Sequence, residues 1–202
     1  MEKFYFEKPS INRKNEIIDY INEFKEYGSN INGVGALGKI LKGLSFEEAL
    51  DKTLKNEDKE YAYQNGRAPG VTYLLIREND NKIVGSINIR HDLTPDMYQF
   101  GGHIGYSIRP VERRKGYNKI NLYMGLIEAD KLGLDRVMLD CDVNNIGSDK
   151  TLKALGGVLT RCDMDPNDGV LTNTYWFDVK DTIDKYRDVY EPFIYDDIVK
   201  SK

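Results

Sequence analysis

The sequence predicts a mixed α+β fold, an α/β sandwich whose central, mostly antiparallel mixed sheet carries helices on both faces. Apolar residues recur with a period near 3.6 in some segments and near 2 in others, which indicates helices and strands respectively. Two pairs of strand segments are joined by short turn-rich connectors, and single helical segments separate these hairpins. Of the 202 residues, 40% are hydrophobic and 31% charged, so we predict one packed domain over residues 1–202.

The first half of the chain predicts one strand, two helices and a hairpin. The second helix begins at Ser45 with the Ser-x-x-Glu form of a capping box. Residues 28–43 are rich in glycine and predict a loop or a broken helix. In chain order, the predicted segments are the strand Lys3–Glu7, the helices Asn12–Phe24 and Ser45–Asn56, and the hairpin strands Val71–Arg77 and Lys82–Arg90.

The second half predicts a third strand after a loop over residues 91–102, then alternating helices and strands. The longest helix ends at Gly133, a residue type that often follows a helix C-terminus. In order, the segments are the strand Gly102–Ile108, the helix Ile120–Leu132, the strand Val137–Val143, the short helix Ser148–Leu155, the hairpin strands Val158–Met164 and Val170–Val179, and the short helix Asp181–Val189.

The most informative segment is residues 108–118, Ile-Arg-Pro-Val-Glu-Arg-Arg-Lys-Gly-Tyr-Asn, which joins the third strand to the longest helix. A strand, a basic glycine-containing loop and a helix direct backbone N–H groups toward a phosphate. Gly116 allows close approach of the backbone, and residues 113–115 add positive charge. The alternative is a basic helix start that faces solvent, but cations there oppose the helix dipole.

Residues 113–118 resemble motif A of the GNAT N-acetyltransferase superfamily, Arg/Gln-x-x-Gly-x-Gly/Ala, and residues 70–160 follow the family's element order best. The resemblance implies a GNAT-like fold, acetyl-CoA as acyl donor and an amine as acceptor. It also implies that the backbone N–H of Ile108 acts as an oxyanion donor. The residues it implies for binding acetyl-CoA are Ile108, Arg109, Arg113, Arg114, Lys115, Gly116, Tyr117, Asn118, Asn145 and Ser148.

A second family feature, Asn-x-x-Ala/Ser, reads Asn145 to Ser148 here. The resemblance implies that Asn145 contacts the acyl-CoA arm; the alternative is a helix cap. Two positions depart from the family pattern. Asn118 replaces a small residue, and Leu152 stands where the family often has a tyrosine that protonates the leaving thiolate. The alternative function is therefore a non-catalytic acyl-CoA-binding or sensing module.

Four further residues are candidates for handling the acceptor. His91 and His103 flank one loop, and either could serve as a base because imidazole titrates near neutrality. The alternative for each is a structural hydrogen bond. Asp140 and Asp142 share one strand face, where carboxylates would attract a cationic amine; the alternative is a solvated strand end.

Composition excludes several other classes of function. A net charge of −4 without a wider basic stripe argues against nucleic-acid binding. Cys141 and Cys162 indicate neither a disulfide framework nor a metal site. We expect a cytoplasmic protein, since no signal peptide is apparent and the longest apolar run, near Val71–Ile76, is too short to span a membrane. An exposed late strand could pair with a second copy in a homodimer.

Residues 33–38 match Gly-x-Gly-x-x-Gly, and residues 33–39 match most of a phosphate-binding P-loop. Both motifs require a buried strand immediately before the loop, and Ile40 stands where a P-loop has Ser or Thr. The preceding residues predict a helix end and a polar turn. We therefore interpret residues 28–43 as a loop that, with residues 91–102, borders the acceptor site.

Overall fold

The computed structural model describes residues 1–195. The strands are β1 (Phe4–Glu7), β2 (Gly70–Arg77), β3 (Lys82–Arg90), β4 (Ile104–Ile108), β5 (Arg136–Asp142), β6 (Val158–Met164) and β7 (Leu171–Asp178). The α-helices are α1 (Lys14–Glu26), α2 (Phe46–Lys55), α3 (Lys59–Gln64), α4 (Pro95–Gln99), α5 (Tyr117–Lys131), α6 (Ile146–Ala154) and α7 (Val179–Tyr190). Short 3-10 helices cover Ile11–Arg13, Gly35–Lys42, Pro110–Glu112 and Glu191–Phe193.

Most predicted elements form, and the differences lie in short helices. The capping box is present, because the Ser45 hydroxyl accepts the N–H of Glu48. α3 and α4 were not predicted, since each is too short to show helical periodicity. Each begins instead at a capping side chain, Asp58 and Thr94 respectively. Of the two alternatives for residues 28–43, the structure shows a broken helix, the 3-10 helix Gly35–Lys42.

The strands form two antiparallel sheets, in the orders β1-β2-β3-β4 and β5-β7-β6. The predicted mixed α+β class is confirmed, but the single central sheet is divided between β4 and β5. The two sheets meet where the N–H of His103 donates to the carbonyl of Met138 at 2.7 Å. No ladder of hydrogen bonds continues from there within residues 1–195.

Two hydrophobic clusters cover the faces of the first sheet. One packs α5, α6 and α7 against it, with Tyr123 and Leu126 completely buried. The other packs α1, α2 and the 3-10 helix against the opposite face, with Ile17 and Phe24 completely buried. Because side chains alternate along a strand, Tyr106 of β4 faces the α5 side.

The second sheet ends at the exposed edge strand β6. Val158, Leu159 and Met164 are 62%, 48% and 58% exposed, and β6 pairs only with β7 among the described strands. This edge is where the predicted homodimer would form, which stays a prediction. No helix within residues 1–195 is long and apolar enough to cross a bilayer.

Candidate active site

The loop between β4 and α5 presents a row of unpaired backbone donors. Within residues 1–195, the N–H groups of residues 114–118 donate to no backbone or side-chain acceptor. Gly116 caps α5 in the left-handed conformation at φ 85°, and Arg114 precedes it at φ 66°. No heavy atom lies within 4 Å of where a Cβ on Gly116 would stand. The loop therefore leaves its backbone donors open at a helix start, an arrangement that suits an anion.

The side chains predicted to contact acetyl-CoA mostly point elsewhere. Arg109 is buried, and its Nη1 donates to Asp19 and Glu23 of α1 at 2.9 and 2.8 Å. Arg113 donates through Nη1 to the hydroxyl of Ser29 at 3.0 Å and through Nε to the carbonyl of Ile108 at 3.3 Å. These two guanidinium groups hold the loop against α1 and the segment that follows it, and the predicted contacts with acetyl-CoA stay a prediction.

Lys115 and Tyr117 are likewise turned away from the open side of the loop. The Lys115 ammonium donates to Glu112 at 2.7 Å. The Tyr117 hydroxyl donates to Glu2 at 2.7 Å, and its ring packs on Phe4. Their backbone N–H groups stay available to a ligand. Of the basic side chains in residues 113–115, that of Arg114 alone has no ion-pair or hydrogen-bond partner in the described part of the chain.

Glu112 holds the loop between β4 and α5 in place through ion pairs. Its buried carboxylate accepts from Arg77 at 2.9 and 3.2 Å, from Lys82 at 3.1 Å and from Lys115. Burial alone would raise the pKa of Glu112, but the hydrogen bonds from Lys115, Arg77 and Lys82 outweigh burial and lower it to about 2. The carboxylate is therefore ionised at neutral pH and fixes the turn that precedes the unpaired N–H groups.

One edge of β4 also carries backbone N–H groups that have no acceptor within residues 1–195. Arg109 donates its N–H to the carbonyl of Val84, and Arg90 donates its N–H to the carbonyl of His103. Because bonding alternates along an antiparallel strand, the odd-numbered residues of β4 bond to β3. The even-numbered residues direct their N–H groups toward β5; they are Ile104, Tyr106 and Ile108.

The facing edge of β5 behaves in the same way. Val143 donates its N–H to the carbonyl of Leu171 in line with β7, so the alternate residues Asp140 and Asp142 direct their backbone groups toward β4. β4 and β5 are bonded only at His103 and Met138 within residues 1–195. We call the gap beyond this contact, between residues 104–108 and 139–142, the inter-strand slot. Ile108, the predicted oxyanion donor, directs its N–H into this slot.

Polar side chains from α5, α6 and β4 meet beside the slot. Asn145 caps α6, its Oδ1 accepting the N–H of Ser148 at 3.1 Å, so the cap that sequence left as an alternative is present. The hydroxyls of Tyr106 and Ser148 lie 2.8 Å apart. Asn118 donates to the hydroxyl of Thr151 at 3.2 Å, while its Oδ1 is buried without a partner in the described part of the chain. Asn118 thereby ties α5 to α6, which a glycine or alanine could not do.

Leu152 lies one turn of α6 beyond Ser148 and is completely buried. The position at which the family often has a tyrosine is thus part of the apolar core. A tyrosine hydroxyl from β4, that of Tyr106, reaches α6 at Ser148. Burial raises the pKa of Tyr106, which keeps its hydroxyl protonated at neutral pH.

His103 links the two sheets. The ring is buried, and its Nδ1 accepts the N–H of Met138 at 3.0 Å. Burial, assisted by the nearby charge of Arg90, lowers the pKa of His103 to about 4. A neutral ring whose acceptor nitrogen is already occupied has no lone pair for a substrate proton. The geometry therefore favours the structural alternative for His103 over the role of base.

This burial predicts a pH-dependent stability. An unfolded chain takes up a proton on His103 below its ordinary pKa of 6.5, whereas the folded chain resists until about pH 4. The contribution of neutral His103 to the free energy of unfolding should be fully present above pH 6.5. It should fall by up to about 3 kcal/mol as pH decreases to 4. Urea unfolding of the wild type and of His103→Asn, compared from pH 7 to 4, measures the difference. If the free energy of unfolding changed with pH in the same way for both proteins, the predicted contribution of His103 would be wrong.

His91 lies beyond the end of β3. Its Nε2 is 3.3 Å from the carbonyl of Glu57, and its N–H donates to the carbonyl of Pro69. The β3 residue opposite Ile108 is Gly85, about 20 Å along the strand from His91. The geometry again favours a structural role over that of base.

Asp140 borders the inter-strand slot. Its Oδ2 accepts the N–H of Gly101 at 2.8 Å, and its Oδ1 is buried without a partner among the described residues. Asp142, by contrast, accepts the N–H of Asn144 at 2.7 Å in a turn. Of the two predicted amine-attracting carboxylates, Asp140 is thus the one whose unpartnered oxygen is buried, and the α4 loop at Gly101 lies beside it.

The second predicted border of the acceptor site also lies at the slot. The N–H of Asn32 donates to the hydroxyl of Ser107 at 2.7 Å, and the backbone of Gly33 crosses β4 at Gly105. Sequence reasoning missed three residues here, Tyr106, Glu112 and Arg90. Period-two alternation in β4 could have drawn attention to Tyr106, but no local pattern marks the other two.

Residues 44–158 match the family model described as an acetyltransferase (GNAT) domain. The chain belongs to the GNAT acetyltransferase family. This match covers more than half of the 202 residues and confirms the family and the enzyme class predicted from sequence. A search among curated proteins found no match.

Solved structures share the fold of this GNAT protein at low sequence identity. The ribosomal-protein-S5-alanine acetyltransferase of Vibrio fischeri is 17% identical, with a TM-score of 0.65 over 90% of this chain and 96% of that one. A ribosomal L7/L12 α-N-protein acetyltransferase in complex with coenzyme A is 16% identical, with a TM-score of 0.61 over 87% and 93%. The spermidine/spermine N-acetyltransferase of Vibrio cholerae, in mutant forms, is 12% identical, with a TM-score of 0.61 over 91% and 98%.

Proposed function

We propose that this protein is an N-acetyltransferase that moves an acetyl group from acetyl-CoA to a primary amine by direct attack on the thioester. The supporting observation is a path of unpaired backbone N–H groups, from residues 114–118 at the start of α5 to Ile108 and Tyr106 in the inter-strand slot. A pyrophosphate suits the first group. The amide-bearing arm of acetyl-CoA suits the slot, where it would pair with β4 as another strand would.

The chemistry follows from this placement. The amine nitrogen forms a C–N bond to the acetyl carbon, and the carbonyl oxygen gains negative charge that the N–H of Ile108 stabilises. Collapse of the intermediate breaks the C–S bond. The acceptor attacks as the neutral amine, after its ammonium form has released one proton to water. The nitrogen releases a second proton after attack, and the thiolate takes one up. Holding both reactants in the slot supplies proximity and orientation.

Asp140 and the hydroxyl pair of Tyr106 and Ser148 suit the charges of this reaction. The free Oδ1 of Asp140 attracts the ammonium form of the acceptor before attack. The hydroxyl pair lies one helical turn from Leu152 and supplies a donor near the departing sulfur. A thiolate with an ordinary pKa near 8.5 also leaves with help from water.

The second candidate is a non-catalytic acyl-CoA-binding or sensing module. The specific observation in its favour is the buried Leu152, which places an apolar side chain where the family often has a proton donor. Both candidates require the same acyl-CoA site, so binding alone does not separate them.

Calorimetry with acetyl-CoA, followed by thiol release on a panel of amines, tests the proposal. We expect binding below millimolar concentration and thiol release that depends on at least one class among amino acids, peptides, polyamines and aminoglycosides. Binding without amine-dependent thiol release would favour the sensing module. No binding at millimolar acetyl-CoA would remove both candidates.

A further inference from the structure

Arg90, the last residue of β3, is a partly buried guanidinium without a carboxylate partner. Its Nη1 donates to the carbonyls of Gly101 and Gly102 at 3.0 and 2.6 Å. Its Nη2 lies 3.7 Å from where a Cβ on Gly105 would stand, beside the middle of β4. Within residues 1–195, no acidic side chain reaches ion-pair distance of Arg90.

The three buried arginines within residues 1–195 each pair with at least two carboxylates. Arg13 pairs with Glu7 and Glu16; Arg77 with Glu2, Asp80 and Glu112; and Arg109 with Asp19 and Glu23. Proteins pair buried charges because removal from water is costly. Burial, and then the nearby charge of Arg67, lower the pKa of Arg90. The surroundings of Arg90 therefore provide no anion to balance its charge.

Arg90 lies beside the middle of β4, where its Nη2 and the backbone of Gly33 both approach Gly105. Gly101 connects it to Asp140: the carbonyl of Gly101 accepts from Arg90, and its N–H donates to Asp140 Oδ2. A guanidinium without a carboxylate and a carboxylate with an unpartnered Oδ1 therefore flank one glycine at the mouth of the inter-strand slot. A ligand that carries a carboxylate and an ammonium group complements both.

We propose that Arg90 binds a carboxylate of the acceptor while Asp140 attracts its ammonium group, so that the acceptor is an amine with a carboxylate close to the amino nitrogen. This inference rests on the proposed acetyltransferase activity. Two sources share the chemistry: a free amino acid, and a peptide whose second residue is acidic. Simple polyamines lack the carboxylate and are poor acceptors.

Matched acceptor pairs test the inference by thiol release at saturating acetyl-CoA. One pair is β-alanine and its amide. The other is two C-terminally amidated tripeptides that differ only in aspartate or asparagine at the second position. We expect kcat/KM to favour the acid over its amide at least about tenfold in one pair, the equivalent of about 1.4 kcal/mol. The pair that shows the preference identifies the source.

The variants Arg90→Gln and Arg90→Lys separate recognition from folding. In Arg90→Gln the ratio of kcat/KM for the acid to kcat/KM for its amide should fall toward one. Arg90→Lys should retain part of the preference for the acid because the charge remains. Arg187→Gln, at an exposed ion pair in α7, should keep the wild-type preference. Acetyl-CoA affinity is measured for each variant, and a merely structural role for Arg90 would leave the ratio between acid and amide unchanged.

Two results would overturn the inference in different ways. Thiol release with amines, but equal kcat/KM for acids and amides, would remove the role of Arg90 and leave the acetyltransferase intact. Absence of amine-dependent thiol release across the whole panel would remove the proposed function and this inference with it.

Discussion

Replacing Gly116 with aspartate should weaken acetyl-CoA binding at least about 100-fold, a loss of about 2.7 kcal/mol. Gly116 stands at φ 85°, and no heavy atom lies within 4 Å of its missing Cβ. A carboxylate there would project into the space beside the unpaired N–H groups of residues 114–118. It would repel the pyrophosphate that we propose for this loop. Calorimetric titration with acetyl-CoA measures the effect.

Gly133 offers a matched control at the other end of α5. It also has a left-handed conformation, at φ 78°, and nothing lies within 4 Å of its missing Cβ. Aspartate at either position costs backbone strain of about 1–2 kcal/mol, so both variants should lose stability. Gly133→Asp should keep wild-type affinity for acetyl-CoA. Unchanged affinity in Gly116→Asp would show that the loop is wrongly assigned.

The regular elements of this fold follow from local sequence, whereas their division into two sheets does not. Strands such as β3 and helices such as α1 carry a clear apolar period, so their type is set by their own residues. The two sheets separate because β4 and β5 bond only at His103 and Met138, 35 residues apart. Short α3 depends on its cap at Asp58, a signal too brief to distinguish from a turn.

The same difference between local patterns and long-range contacts explains which features of the candidate site could be predicted. The position of the loop with unpaired N–H groups was predictable, because a glycine between a strand and a helix start is a local pattern that determines the backbone conformation. The directions of the side chains were not predictable. Arg109 donates to Asp19 and Glu23, 90 and 86 residues away in sequence. The ring of His103 accepts a hydrogen bond from Met138 of β5, 35 residues later. Basic residues near a phosphate loop can thus serve the loop's own folding.

Removing the charge of Glu112 should cost about 3 kcal/mol of stability, since loss of one partner from a buried ion pair is strongly destabilising. Glutamine keeps the shape of the side chain but leaves Arg77, Lys82 and Lys115 to face one another. Urea unfolding of Glu112→Gln at pH 7 measures the loss. Asp51→Asn, which disrupts only an exposed pair with Lys55, should change stability by less than about 0.5 kcal/mol.

The pH dependence of this loss distinguishes the ionised carboxylate from a packing effect. The folded pKa of Glu112 is about 2, below its ordinary value of 4.5. Its contribution is therefore fully present above pH 4.5 and is lost as pH falls toward 2. The stability difference between wild type and Glu112→Gln should narrow over that interval. If the difference in free energy of unfolding stayed constant with pH, poor packing of glutamine would explain the loss. The ion pairs of Glu112 with the three cations would then not stabilise the loop.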